Sequence, residues 1–234
     1  METQDGFIVG IYNYCDRWCE HCSLSGRCRV FAEEQRLSFD PQSEPGQGGV
    51  PALRSLGALA ASSTADHDDL FELALHEAAP RLAPWPDLPP AEVDLHRRVS
   101  ELGRRLSAWI APESRAKDPA VIDAVEVLQH FGIFIGPKIY RALTGRNVGE
   151  ADGPRRDAVG SAKVALLAFD RLGEAWLRLA EHGAISVLEA APVLTELQRV
   201  SVELDTLFPR ARNFVRPGFD EPGAVAMLEW SERG

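Results

Sequence analysis

Residues 91–110 read A-E-V-D-L-H-R-R-V-S-E-L-G-R-R-L-S-A-W-I. Leu95, Val99, Leu102, Leu106 and Trp109 recur at gaps of four and three, which a helix gathers onto one apolar stripe. The stripe is predicted core. Helical spacing, not strand alternation, also runs through residues 65–79, 119–144, 154–182 and 186–208. Asp118-Pro119 supplies a capping carboxylate followed by the proline tolerated at a first helical position. Gly145 and Gly183 stand where left-handed helix stops are expected. Short connections between long amphipathic segments predict a mainly α protein built as an antiparallel helical bundle.

Upstream of these segments, residues 40–51, D-P-Q-S-E-P-G-Q-G-G-V-P, carry too much proline and glycine to sustain a helix or a central strand. The expected organisation is a small N-terminal module over 1–39, a linker over 40–64, the bundle over 65–208 and a C-terminal arm over 209–234. Within the module, the apolar run 7–12 reads as a strand or as the lead-in to a loop, and 31–37, F-A-E-E-Q-R-L, reads as helix.

All four cysteines of the 234-residue chain, Cys15, Cys19, Cys22 and Cys28, fall in the run Y-C-D-R-W-C-E-H-C-S-L-S-G-R-C over 14–28. Thiolates at such short gaps can surround one ion or cluster, since zinc and iron-sulfur centres both favour sulfur. Two disulfides are the competing reading. That framework belongs to small secreted domains, and the opening M-E-T-Q-D-G has neither a basic n-region nor an apolar h-region. The spacing C-x3-C-x2-C-x5-C is not the paired C-x2-C of a zinc ribbon. The expected cofactor is a four-iron four-sulfur cluster first and zinc second. Tyr12, Tyr14, Trp18 and Phe31 interleave with the cysteines and are expected to dock the module on its neighbour.

Cys15, Cys19 and Cys22 resemble the C-x3-C-x2-C signature of radical S-adenosylmethionine enzymes. Such enzymes need a βα-alternating continuation, which does not follow here, and Cys28 would fill the open iron. Cys19, Cys22 and Cys28, C-x2-C-x5-C, resemble the end of the four-iron four-sulfur loop in helix-rich DNA glycosylases of the endonuclease III type, whose first gap is longer. The likeness covers the loop alone and implies cluster wrapping, not glycosylase activity. Y-C-D-R-W-C-E-H-C, with G-S-A-K-V-A-L-L-A-F-D-R over 160–171 and F-V-R-P-G-F-D over 214–220, resembles a group of bacterial proteins. That resemblance implies a cysteine knuckle joined to a helical body and no particular activity.

A second candidate site is polar. Asp123, Glu126, His130, Phe134, Lys138 and Arg141 follow one another at gaps of three or four, placing ionisable groups on one face of an apolar helix. Pro137 should kink that helix and leave the carbonyl of Ile133 without its usual donor. In the next segment Lys163, Asp170 and Glu174 share a stripe with Leu167, while Gly160, Ala162, Ala165 and Ala168 permit close helix approach. If these faces meet, Glu126, His130, Lys138, Lys163, Asp170 and Glu174 form a polar pocket, the basis of an alternative reading as a metalloenzyme. A solvated face or a structural ion-pair network is the plainer account. Di-iron bundles use Glu-x-x-His pairs, whereas Glu72 with His76 and Glu126 with His130 are separated by four.

Charge sets the expected partners. Thirty-five acidic against 25 basic side chains give a net charge of −10, which opposes non-specific attraction to nucleic acid. Arg210, Arg212 and Arg216 among Phe208, Phe214 and Phe219 would be the nucleic-acid surface if there were one; Pro209, Pro217 and Gly218 make it a loop. The plainer reading is an arm that packs its phenylalanines on the bundle and pairs its arginines with acids. No run of about eighteen purely apolar residues occurs. The expectation is a cytoplasmic protein with a protein partner or self-association, and no membrane contact. Phosphate-cradling, dinucleotide-binding and nucleophile-elbow motifs are absent.

Overall fold

The computed structural model describes residues 3–38, 88–147 and 152–220. Two short strands, β1 (Thr3–Gln4) and β2 (Phe7–Ile8), precede helix α1 (Arg29–Ser38). Then come α2 (Pro90–Ser107), α3 (Pro119–Asn147), α4 (Asp152–Glu181) and α5 (Val187–Leu207). The chain divides into two units, Met1–Cys28 with Leu88–Gly234 and Arg29–Asp87. Helix α1 is the described part of the second unit. The helix expected over 65–79, the linker over 40–64 and the Glu72–His76 pair lie outside the described residues, as does 221–234 of the arm.

The described protein is mainly helical, and the stripe of residues 91–110 is its core-facing seam. Leu95 and Val99 are fully buried, Leu102 and Leu106 nearly so, and Trp109 packs on the same cluster. On the neighbouring helix α3, Val121, Leu128, Phe131, Ile135, Ile139 and Leu143 fill the facing side. The helices α2 and α3 run antiparallel: Glu92 meets Arg146 and Asn147, Ser100 lies by Gly136, and Gly103 lies against Gly132. Antiparallel packing also relates α3 and α4, since Arg141 bonds Asp157 while Asp118 bonds His182.

Capping chemistry fixes several ends. Asp118 Oδ1 accepts from Ala120 N at 3.0 Å, and Pro119 follows at the first helical position. Gly183, at φ 66°, ends α4 with Gly183 N–H on Ala180 O and Ala184 N–H on Leu179 O. That pair of bonds defines a Schellman stop. Ser186 and Glu189 form a capping box that starts α5. Gly145 departs from expectation: it lies inside α3, which continues to Asn147. Asn147 Nδ2 there donates to the Leu143 carbonyl at 2.9 Å, satisfying an end group without a left-handed residue. Pro137 likewise lies inside α3 without ending it.

An 18-residue window of α3 has a mean hydropathy of 1.3, and by length and composition the helix is long enough to span a membrane. Its apolar side is the centre of the bundle, between α2 and α4, and its other side carries His130, Lys138 and Arg141. At the N-terminus, β1 and β2 pair antiparallel with Thr3 opposite Ile8 and Gln4 opposite Phe7. The two linking residues, Asp5 and Gly6, have φ of 53° and 83°. Two positive angles are what a two-residue hairpin turn of the primed kind requires.

Candidate functional site in the cysteine loop

Short 3-10 turns build the loop: Ile11–Asn13, Cys19–His21 and Ser25–Arg27. Cys22 and Cys28 each close one of these turns in extended backbone conformation. Buried Ile8, Ile11 and Phe219 form a small apolar cluster against which Cys15, Cys22, Leu24 and Cys28 pack. Burial pushes the thiols of Cys15 and Cys22 above their ordinary value. The backbone of Arg17 at Cys15 and of Leu24 at Cys22 acts in the opposite direction without cancelling the rise. The Cys15 thiol itself donates to the Tyr12 carbonyl at 3.5 Å. Cys15 and Cys28 act in the direction of the rise at Cys22. Cys19 is half-buried, and its carbonyl accepts from Cys22 N at 3.2 Å.

The donor set, four soft cysteine sulfurs on one loop, is of the kind that a thiolate-bound metal takes. The side chains are not gathered into such a site. Among the described residues no group of three or more His, Cys, Asp or Glu side chains is disposed to hold a metal ion.

The loop is fastened to the bundle through Asp16, a buried residue. Its carbonyl lies 2.8 Å from His130 Nε2, its Oδ1 accepts from Trp18 N at 3.2 Å, and its Oδ2 accepts from Arg171 at 3.1 Å. Arg17 between Asp16 and Trp18 has φ of 60°, an uncommon angle for a residue with a side chain. Trp18 stacks on His130 at 4.7 Å and meets Phe131 edge-on at 5.6 Å. Two turns further along α3, buried Lys138 donates to Asn13 O at 3.0 Å and lies 5.2 Å over the Phe134 ring. Burial lowers the Lys138 ammonium to about 8, with Cys15 acting in the opposite direction. Arg141 donates to both oxygens of Asp157 and to Asn13 Oδ1. The expected docking role of the aromatics thus holds for Tyr14 and Trp18.

The six residues of the predicted polar pocket are not brought together. His130 and Lys138 hold the cysteine loop, while Glu126 and Glu174 are exposed. Lys163 does not turn toward α3; it donates to the arm carbonyls of Arg212 and Phe214 at 3.2 and 2.7 Å and pairs with Asp220 at 2.9 Å. Exposed Asp170 pairs with Arg212 at 3.3 Å. The reason is that a third element, first the loop and then the arm, covers the polar sides of α3 and α4.

The described arm, 209–220, behaves as the plainer reading expects. Phe208, Ala211 and Phe219 are buried, Arg212 pairs with Asp205 and Asp170, and Arg216 pairs with Asp220. Gly218, at φ 79°, brings the arm's backbone against Ile8, Ile11 and Leu24. Although burial raises the Asp220 carboxyl, Arg216 and Lys163 outweigh it and hold the group well below the ordinary 3.8. A carboxyl depressed in the folded state contributes stability above its unfolded value and loses it as pH falls toward the folded one. The arm is therefore expected to stay seated above about pH 4 and to loosen below it. Hydrogen-exchange protection factors of residues 214–220, each rate referred to the intrinsic rate at its pH, check this at pH 5 and pH 3: protection should fall in acid, and Asp220→Asn should show the lower protection already at pH 5.

No protein-family model, curated protein or solved structure matches the chain. The sequence reading missed Asp16, Asn13, Arg171 and Asp220. Each makes its functional contact with a residue far away in the chain, and an acid beside a cysteine has no local pattern that announces it. Only Gly218 in R-P-G-F carried a signal, a turn residue within an aromatic arm.

Proposed function

We propose that Cys15, Cys19, Cys22 and Cys28 bind a four-iron four-sulfur cluster or a zinc ion, and that the protein is a metal-binding accessory factor for a protein partner. The observation that carries the reading is the gathering of all four cysteines in one short loop, with Cys15, Cys22 and Cys28 packed against a single apolar cluster. Their thiolates are the form that ligates metal. Ile8, Ile11 and Phe219 pack against Cys15, Cys22 and Cys28, which stay partly exposed. Asp16, His130 and Lys138 hold the loop in register on α3. A bound cluster would supply one-electron transfer, and zinc a structural cross-link. A complete shell of four thiolates has no open position for substrate, which favours an accessory role over hydrolysis.

Anaerobic purification followed by iron, zinc and sulfide analysis tests the proposal. Either about four irons with four sulfides and a broad visible absorbance, or about one zinc without colour, is the expected result. Cys22→Ser should abolish or sharply reduce the metal content. Metal-free protein with four freely alkylated cysteines would overturn the reading.

A further inference from the structure

Beside the cysteine loop, on the outer side of α3, lies a groove of about 590 Å³ that the metal reading does not use. Tyr12, Asn13 and Arg17 form one wall, and α3 from Gln129 to Arg141 forms the other. Its floor is apolar: Ile133, Phe134 and Pro137 line it, and Ile133 is 72% exposed although it belongs to the most apolar helix of the bundle. Arg17, Lys138 and Arg141 line it as well, and no carboxylate does. Asp157 answers Arg141 from outside the lining. Arg17 and Arg141 repel the Lys138 ammonium while Cys15 and Asp157 attract it, and three cationic side chains converge here on a chain of net charge −10.

We infer that this groove binds a small organic anion with an aromatic or aliphatic body. The volume falls within the range of small-molecule sites, which are mostly apolar with a few convergent polar groups. Burial of the apolar body on Ile133, Phe134 and Pro137 supplies affinity in proportion to area. The anionic group supplies orientation through Lys138 and Arg17, and relieves the mutual repulsion of the cations. A polyanion lacking an apolar body uses only half of this lining, and a neutral hydrocarbon only the other half. The inference stands on the groove's own geometry and does not require the cysteines to hold metal.

The test uses 1-anilinonaphthalene-8-sulfonate as the probe and N-phenyl-1-naphthylamine as its uncharged analogue, on the full chain as purified. The sulfonate should bind at one site per chain, at least about tenfold tighter than the neutral compound, the discrimination of one good charge contact. Ile133→Glu, which adds a carboxylate at an exposed position, should weaken sulfonate binding at least about tenfold. Arg17→Asn, which keeps a residue tolerant of positive φ, should reduce the preference for the anion. Ile133→Glu should keep the parent's melting temperature. Equal binding of the two probes, or sulfonate binding untouched by Ile133→Glu and Arg17→Asn alike, would overturn the inference.

Discussion

Gly132→Ala is expected to destabilise the protein by about 3 kcal/mol or more, because α2 and α3 cross there on bare backbone. A Cβ on Gly132 would lie 2.6 Å from Gly103 O and 2.9 Å from both N and Cβ of Ser107. A Cβ on Gly103 would collide with the carbonyl oxygen of Gly132 and stand 3.1 Å from the Ile135 side chain. Helix propensity works the other way, since alanine exceeds glycine by about 1 kcal/mol in a helix interior. That gain is too small, because the atoms in the way are backbone and no rotamer change removes them. Separating the helices would also open the contact of Leu102 and Leu106 with Phe131 and Ile135. Thermal melts of Gly132→Ala and Gly103→Ala should fall by about 10 °C, given about 2–4 °C per kcal/mol at this size. Gly136→Ala is the internal control. Its Cβ would meet only the Ser100 side chain, with the hydroxyl nearest at 3.0 Å, and a hydroxyl can rotate. A melt for Gly132→Ala equal to that of Gly136→Ala would show that the crossing is looser than described.

What could be read in the sequence divides along local and non-local lines. The four helices of the bundle begin and end within three residues of the predicted segments, because helical period, Asp118-Pro119 and Gly183 all act within a turn or two of chain. The burial of Leu95, Val99, Leu102 and Leu106 followed from the same spacing. Periodicity says which side of a helix is apolar; it is silent on what covers the other side. Glu126, His130, Lys138, Lys163, Asp170 and Glu174 therefore read as one polar pocket, when His130 and Lys138 bond a loop more than a hundred positions away and Lys163 bonds the arm. The close crossing of Gly103 and Gly132 was equally hidden. Both glycines look like weak points of helices until the partner backbone is placed against them. The cysteine cluster is the reverse case, conspicuous as a motif, while its seat against Ile8, Ile11 and Phe219 emerges only in the folded chain.

Gly160→Ala is expected to leave the bundle folded and release the cysteine loop from it. Gly160 is buried on α4, and a Cβ there would run into Cδ1 and Cε1 of Tyr14 and approach Phe214 Cζ to 2.9 Å. Tyr14 belongs to the loop and Phe214 to the arm, with ring centroids 4.9 Å apart, so one methyl displaces both. Inside α4 itself alanine is the better residue, by up to about 1 kcal/mol, and nothing in the α3–α4 contact opposes it. Global melting should therefore change little, while local opening of the loop rises. Thiol modification of Cys15 and Cys22, both packed against the cluster that includes Phe219 of the arm, should quicken ten- to a hundredfold, equivalent to about 1.4–2.7 kcal/mol of lost docking. Far-ultraviolet circular dichroism should stay unchanged. A further substitution, Tyr14→Ala in the Gly160→Ala background, separates clash from lost contact: it should restore arm protection near Phe214 without restoring protection of the cysteines. Unchanged thiol reactivity in Gly160→Ala would mean that the loop is held by Asp16, His130 and Lys138 alone. The aromatic pair would then have no part in presenting the four cysteines.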